Sequence, residues 1–184
     1  MPNALIILAP GFEEVEAITI IDLLRRATID VTVAGLVQDY VEGSHKITIK
    51  TDEYYKNVDP ENFDILILPG GQPGTNNLKA DKTVLEWIRK RHQSGKKLAA
   101  ICAAPTVMYA AGILKGIKVT SFPSEEKVFD PENYLHDNVV VDGNIITSRG
   151  VGTAIEFSLA LVSILKDPET AEDLRKRIVY KLDQ

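Results

Sequence analysis

The chain has 184 residues, of which 45% are hydrophobic and 26% charged, and its formal net charge is −5. That length fits one domain over residues 1–184 with enough apolar material for a core, which excludes wholesale disorder. The acidic balance argues against a nucleic-acid partner, which calls for a basic face, and no run approaches the ~18 apolar residues of a membrane helix.

Asn3 to Leu8 is a mostly apolar run stopped by Pro10-Gly11. It is too short for a signal peptide and fits a strand buried on both faces. The expectation is a soluble, cytoplasmic protein. Val15 to Ala27 then reads as a helix with a stripe of Ala17, Ile20, Ile21 and Leu24. Val15, Ile18 and Leu23 lie off that stripe, so the apolar surface wraps further than one packing face requires. Asp30 to Leu36 is a second strand.

Lys46 to Lys50 alternates and suggests an exposed strand or hairpin within a polar stretch. Asp64 to Leu68 is a third buried strand, closed by Pro69-Gly70-Gly71. Lys82 to Ser94 reads as a helix ended by Gly95. Arg89, Lys90, Arg91 and His92 on it look like a solvated face. Lys97 to Ile101 is a fourth strand, followed directly by Cys102 and by a helix from Pro105 to Ala111. Further strands are expected at Ile117 to Thr120 and on either side of Asp142-Gly143. An apolar helix over Gly150 to Leu165 and a charged one over Pro168 to Val179 complete the chain. Alternating buried strands and helices predict a doubly wound, mostly parallel sheet in three layers.

In such sheets ligands bind beyond the carboxyl ends of the strands. The segments found there are Pro10 to Glu16, Pro69 to Gly74, Cys102 to Pro105 and Ser148 to Gly150. A lone cysteine is most often an inert buried thiol. Cys102, however, falls on a strand-to-helix turn, the position of a nucleophile elbow. There the helix N-terminus favours thiolate, and small Ala103 and Ala104 leave room around the sulfur. The Ala103 N–H is placed to stabilise an oxyanion.

Glu13, Glu14 and Glu16 suit the start of a helix, where carboxylates offset the dipole. If one of them is buried, its raised pKa would let it shuttle a proton or hydrogen-bond a thiolate. Gly70-Gly71 is either a tight turn or a nest of backbone N–H groups facing an oxyanion. Arg149 is suited to an anion, though such an arginine more often pairs with a local carboxylate. There is no phosphate-binding GxxxxGK[ST] and no GxGxxG, and His45, His92 and His136 lack metal spacing. A P-loop nucleotide, a dinucleotide and a zinc ion are therefore not expected.

The segments LAPGFEEVEA, ILPGGQPG, AAICAAP and TSRGVGTAIEF occur in this order and together resemble the ThiJ/PfpI superfamily, in the branch of the parkinsonism-associated protein and YajL. The likeness runs over nearly the whole chain. It implies one flavodoxin-like α/β/α domain, without a cofactor, that forms a homodimer through the Val15–Ala27 helix. It implies that Cys102 is the reactive cysteine and Glu16 the carboxylate on its sulfur. Gly71 and Ala103, with Gly70 beside them, match the positions whose backbone lines the pocket. Two departures bear on mechanism. Ala103 stands where protease-like members carry a histidine, which argues against a Cys-His peptidase. Phe122, in Thr120-Ser121-Phe122-Pro123, stands where human-like members carry a histidine near the cysteine; YajL-like members share the phenylalanine. The resemblance implies a glutathione-independent glyoxalase or deglycase acting on methylglyoxal-type dicarbonyls or their adducts, or alternatively a redox-responsive chaperone and stress sensor.

Overall fold

The computed structural model describes residues 1–181. Its main sheet has seven strands. They are β1 (Asn3–Leu8), β2 (Asp30–Gly35), β5 (Glu53–Tyr54), β6 (Ile65–Leu68), β7 (Lys97–Ile101), β8 (Val139–Asp142) and β9 (Ile145–Ser148). The order across the sheet is β5-β2-β1-β6-β7-β9-β8. Every pairing is parallel except β8 with β9, whose hairpin turns at Gly143-Asn144, one residue beyond the expected Asp142-Gly143. The central five strands, β2-β1-β6-β7-β9, reproduce the flavodoxin-like order. β3 (Tyr40–Glu42) and β4 (Thr48–Lys50) form a separate antiparallel hairpin.

The apolar strands are continuous because both sheet faces are covered. Ala4, Ile6 and Leu8 join Ile65, Ile67, Ala99 and Ile101 on one face. Leu5 and Ile7 join Leu66, Leu68, Leu98 and Ala100 on the other. The first face is covered by α1 (Glu14–Arg26), α5 (Ala154–Leu165) and α6 (Pro168–Arg177). The second is covered by α2 (Gly74–Ala80), α3 (Lys82–Gln93) and α4 (Pro105–Ala110). This is the three-layer architecture the alternation predicts.

The charge pattern supports the helix ends. α1 carries Glu14 and Glu16 in its first turn and Arg25 and Arg26 in its last, both favourable to the dipole. Asp81 caps α3, accepting from the Val84 N–H at 3.0 Å. Asp167 does the same for α6, accepting from Thr170 at 2.6 Å.

Four sequence expectations change. Leu23 is buried, so only Val15 and Ile18 (49% and 42% exposed) remain as the extra apolar surface of α1. Residues 117–120 make a single bridge, Val119 to Tyr134, rather than a strand. The helix expected from Gly150 begins at Ala154, after a 3₁₀ turn at Val151–Thr153. Arg91 is not on a solvated face. Its side chain is fully buried and donates to the carbonyls of Pro60, Phe63 and Lys97. The planar guanidinium reaches three carbonyls, two from the 60–63 turn and one from the start of β7, which offsets the cost of burying the charge. α2 is an addition, since GTNNLKA offers weak helix propensity and no apolar stripe.

Candidate active site

The carboxyl ends of β1, β6, β7 and β9 meet at one rim of the sheet, at a pocket of about 570 Å³. Glu16, Gly71, Cys102, Ala103, Phe122 and Arg149 all line it, and Gly70 packs directly beneath.

Cys102 is the first residue after β7 and has a φ of +64°. For a residue with a Cβ this left-handed conformation costs ~1–2 kcal/mol. Neighbouring strands and loops hold it there. Its N–H donates to the Ser148 carbonyl at 3.0 Å, and its own carbonyl accepts from the Phe122 N–H at 2.7 Å. The turn lifts the thiol to the pocket floor, where it is partly exposed. α4 begins three residues later.

Glu16 lies in the first turn of α1 and is fully buried. Its Oε2 accepts from the Gly70 N–H at 2.8 Å. Oε1 is buried without a hydrogen-bond partner among the described residues, and the carboxyl interacts with the Cys102 thiol. Burial is the dominant influence and lifts the Glu16 pKa to about 7, against the Gly70 hydrogen bond and the thiol contact, which lower it. Cys102 is also pushed up, first by burial and then by the adjacent Glu16 charge, while the backbone N–H groups of Ala103 and Gly71 pull it down. The expectation that the helix N-terminus would favour thiolate is therefore reversed, by burial first and by the Glu16 charge in addition. Protonating Glu16 removes its opposing charge and leaves an O–H able to donate to the sulfur. The two groups titrate as a pair.

The glycines are required by close approach. A Cβ on Gly70 would sit 2.6 Å from the Cys102 Cβ and 2.9 Å from Glu16 Oε2. Gly71 has a φ of +95°, and a Cβ there would lie 2.3 Å from the Glu13 nitrogen. The N–H groups of Gly71 and Ala103 converge on the sulfur, which is the arrangement of an oxyanion hole.

The three acidic residues before and within α1 take different roles. Glu13 lines the pocket, Glu16 faces the thiol, and Glu14 turns away to the β3–β4 hairpin. Glu13 and Glu16 are three apart and share a helix face, a spacing that distinguishes them from Glu14. Burial pushes Glu14 up, but hydrogen bonds from the His45 side chain and from the His45 and Ile47 N–H groups outweigh it and hold the pKa at about 2. Glu13, Glu14 and His45 bring three possible metal-ligand atoms within 4.8 Å of one another. The Glu14 oxygens are already engaged by Ser44, His45 and Ile47.

Arg149 does not pair with a carboxylate among the described residues; it donates to the His136 carbonyl at 3.0 Å and borders the pocket. Phe122 is 45% exposed. Its ring packs beside Gly150 at the pocket wall and offers no proton. Gln72, Glu125 and Asn138 complete the polar wall. Nothing in their local sequence marks them, because the fold alone brings these loops together.

A flavodoxin-like sheet with a thiol on a strained strand-to-helix turn, beside a buried carboxylate, defines a class of cysteine-centred α/β proteins. Residues 2–164 match the model of the DJ-1/PfpI family, and the chain belongs to that family. It is 42% identical over 180 residues to Protein dj-1beta of Drosophila melanogaster, covering 96% of both chains. It is 38% identical over 176 residues to the glutathione-independent glyoxalase DJR-1.2 of Caenorhabditis elegans, covering 95% of this chain and 94% of that one. The structure of oxidized Toxoplasma gondii DJ-1 superposes with a TM-score of 0.95 at 32% identity, covering 99% of this chain and all of that one.

Proposed function

We propose that the protein is a cofactor-independent glyoxalase that converts methylglyoxal-type dicarbonyls to 2-hydroxy acids, with Cys102 as nucleophile and Glu16 as proton carrier. The observation that carries this reading is the fully buried Glu16 carboxyl beside the Cys102 thiol with one oxygen unpartnered, a setting in which burial raises its pKa to about 7. A group poised near neutrality can give and take a proton within one turnover. The glyoxalase among the relatives supports the same substrate class.

The reactive form is the one in which the pair's shared proton has moved from the sulfur to Glu16, a minority state because burial favours the neutral thiol. The sulfur adds to the aldehyde carbon, and the N–H groups of Gly71 and Ala103 hold the developing oxyanion. Glu16 gives its proton to that oxygen, forming a hemithioacetal. The Glu16 carboxylate then removes the proton from the former aldehyde carbon and passes it to the neighbouring ketone oxygen, giving the enediol; it next takes the proton from the former aldehyde oxygen, as the thioester carbonyl forms, and delivers it to the adjacent carbon. This leaves a 2-hydroxy thioester on Cys102. Water cleaves it, releasing the hydroxy acid and restoring the thiol. Phe122 takes no part in proton transfer, so Glu16 serves every carbon-to-carbon step. The same addition to a glycated amine would give deglycation. A protein dependent on one free thiol suits the reducing cytoplasm.

Lactate release from methylglyoxal without glutathione tests this. The wild type is expected to produce lactate. Cys102→Ser should abolish it, and Glu16→Gln should lower kcat by about 10²-fold or more. Full activity in folded Cys102→Ser would overturn the mechanism.

A second reading, a redox-responsive chaperone or stress sensor, is favoured by the partial exposure of the sulfur and by the oxidized state of the Toxoplasma relative. In that reading peroxide converts the thiolate to sulfenic and then sulfinic acid. Mass spectrometry after peroxide treatment should show oxygen added at Cys102 before either methionine. Oxidation of the methionines with Cys102 intact would remove this reading.

A further inference from the structure

A second cavity, of about 590 Å³, lies away from Cys102. It is bounded by the end of α4, the turn that follows it, and the loop after residues 123–128. Tyr109, Ile117, Val119, Val128 and Phe129 supply apolar walls, and Lys115 stands at its rim. Its volume falls within the ~300–1,000 Å³ of small-molecule sites. The floor is an organised aromatic array. Tyr109 meets Phe129 edge-on at 5.9 Å, and Phe129 stacks on Tyr134 at 5.8 Å. Phe129 and Tyr134 are buried, while Tyr109 is 51% exposed at the opening.

The charges at the mouth are unequal. Asp130 is engaged within its own turn, accepting from the Glu132 N–H at 3.0 Å and the Asn133 side chain at 3.2 Å. Lys115 is exposed and has no ion-pair or hydrogen-bond partner among the described residues. An apolar, aromatic interior with one free cation at its edge fits a molecule with a flat apolar body and an anionic end.

We propose that this cavity is a second ligand site for small aromatic carboxylates, with the ring against the Tyr109 and Phe129 walls and the carboxylate at Lys115. The site is separate from the thiol pocket but shares a wall with it. Pro123, Ser124 and Glu125 border the thiol pocket, while Val128, Phe129 and Asp130 border the second cavity. A polar link joins them too. The Tyr134 hydroxyl lies 3.2 Å from the Ser121 hydroxyl, and the next residue, Phe122, donates to the Cys102 carbonyl.

The test is titration of ¹⁵N-labelled full-length protein with 2-naphthoate and, separately, with neutral 2-naphthamide. Saturable shifts are expected at the amides of Gly112, Lys115, Gly116, Ile117 and Phe129. Lys115→Ala should weaken 2-naphthoate about fivefold and leave 2-naphthamide unchanged. Lys115→Arg should retain binding of both. Val128→Trp, which fills the cavity, should remove both. The wild-type spectrum identifies where binding occurs even if that last variant folds poorly. Saturable shifts confined to the Cys102 pocket, no saturation up to about 5 mM, or equal losses for both probes in Lys115→Ala would each overturn the proposal. These readouts do not depend on turnover, so failure here is distinct from failure of the glyoxalase reading.

Discussion

Glu16 sits in an environment that a carboxylate does not prefer. A buried carboxyl with one oxygen unpartnered is costly when ionised. Its native pKa, about 7, stands above the ordinary 4.5, so the folded state holds a proton that the unfolded chain releases between those values. Stability is thus fully present below about pH 4.5 and is lost as the pH rises through about 7. The loss is on the order of 3 kcal/mol. Urea unfolding from pH 5 to pH 8 is expected to show this decline in the wild type and a flatter profile in Glu16→Gln, which is neutral throughout. An equal slope in both would mean that Glu16 is not the group responsible. Cys102 could be found in the sequence because a strand, a cysteine and a proline-led helix are adjacent in the chain. The division of labour among Glu13, Glu14 and Glu16 could not, because it depends on what stands opposite each of them. Glu14 meets a hairpin some thirty residues away in the chain, and Glu16 meets a glycine and a thiol from two other strands.

The β3–β4 hairpin is tied to the start of α1 mainly through the Glu14 carboxylate. This clamp has the opposite pH sense. With Glu14 held at about 2, its contribution is present above the ordinary 4.5 and fades as the pH falls toward 2. Glu14→Ala should increase hydrogen exchange at the His45 and Ile47 amides at pH 7 by about tenfold or more, with little change in β6 or β7. Unchanged exchange at those two amides would show that other contacts hold the hairpin. Strands β1, β2, β6 and β7 were legible because burial on both faces leaves long apolar runs. α2 was not, because its short, Asn-rich segment is helical through its place between Pro73 and α3 rather than through its own pattern. The segment 117–120 misled in the other direction. Its apolar residues serve a loop wall and a single bridge.

At the scale of the whole molecule, α1 leaves Val15 and Ile18 exposed beside a shallow depression that also includes Leu23 and Ile155. We propose that this face joins two copies of the chain, as the family resemblance implies. Sedimentation should show a dimer for the wild type and a monomer for Ile18→Asp, with the far-ultraviolet circular dichroism unchanged. A monomeric wild type would remove the proposal. Among the described residues no helix is long and apolar enough to cross a membrane. Arg91 shows how far the integrity of the pocket depends on distant residues. It joins α3, the 60–63 turn and the start of β7 through one guanidinium, and β7 ends at the thiol. Lysine keeps the charge but cannot serve three carbonyls from one plane. In genetic terms, position 91 is a hidden counterpart of position 102. Under the proposed mechanism a change at the cysteine is expected to leave the protein folded and inactive, whereas a change at this arginine is expected to lower the amount of folded protein.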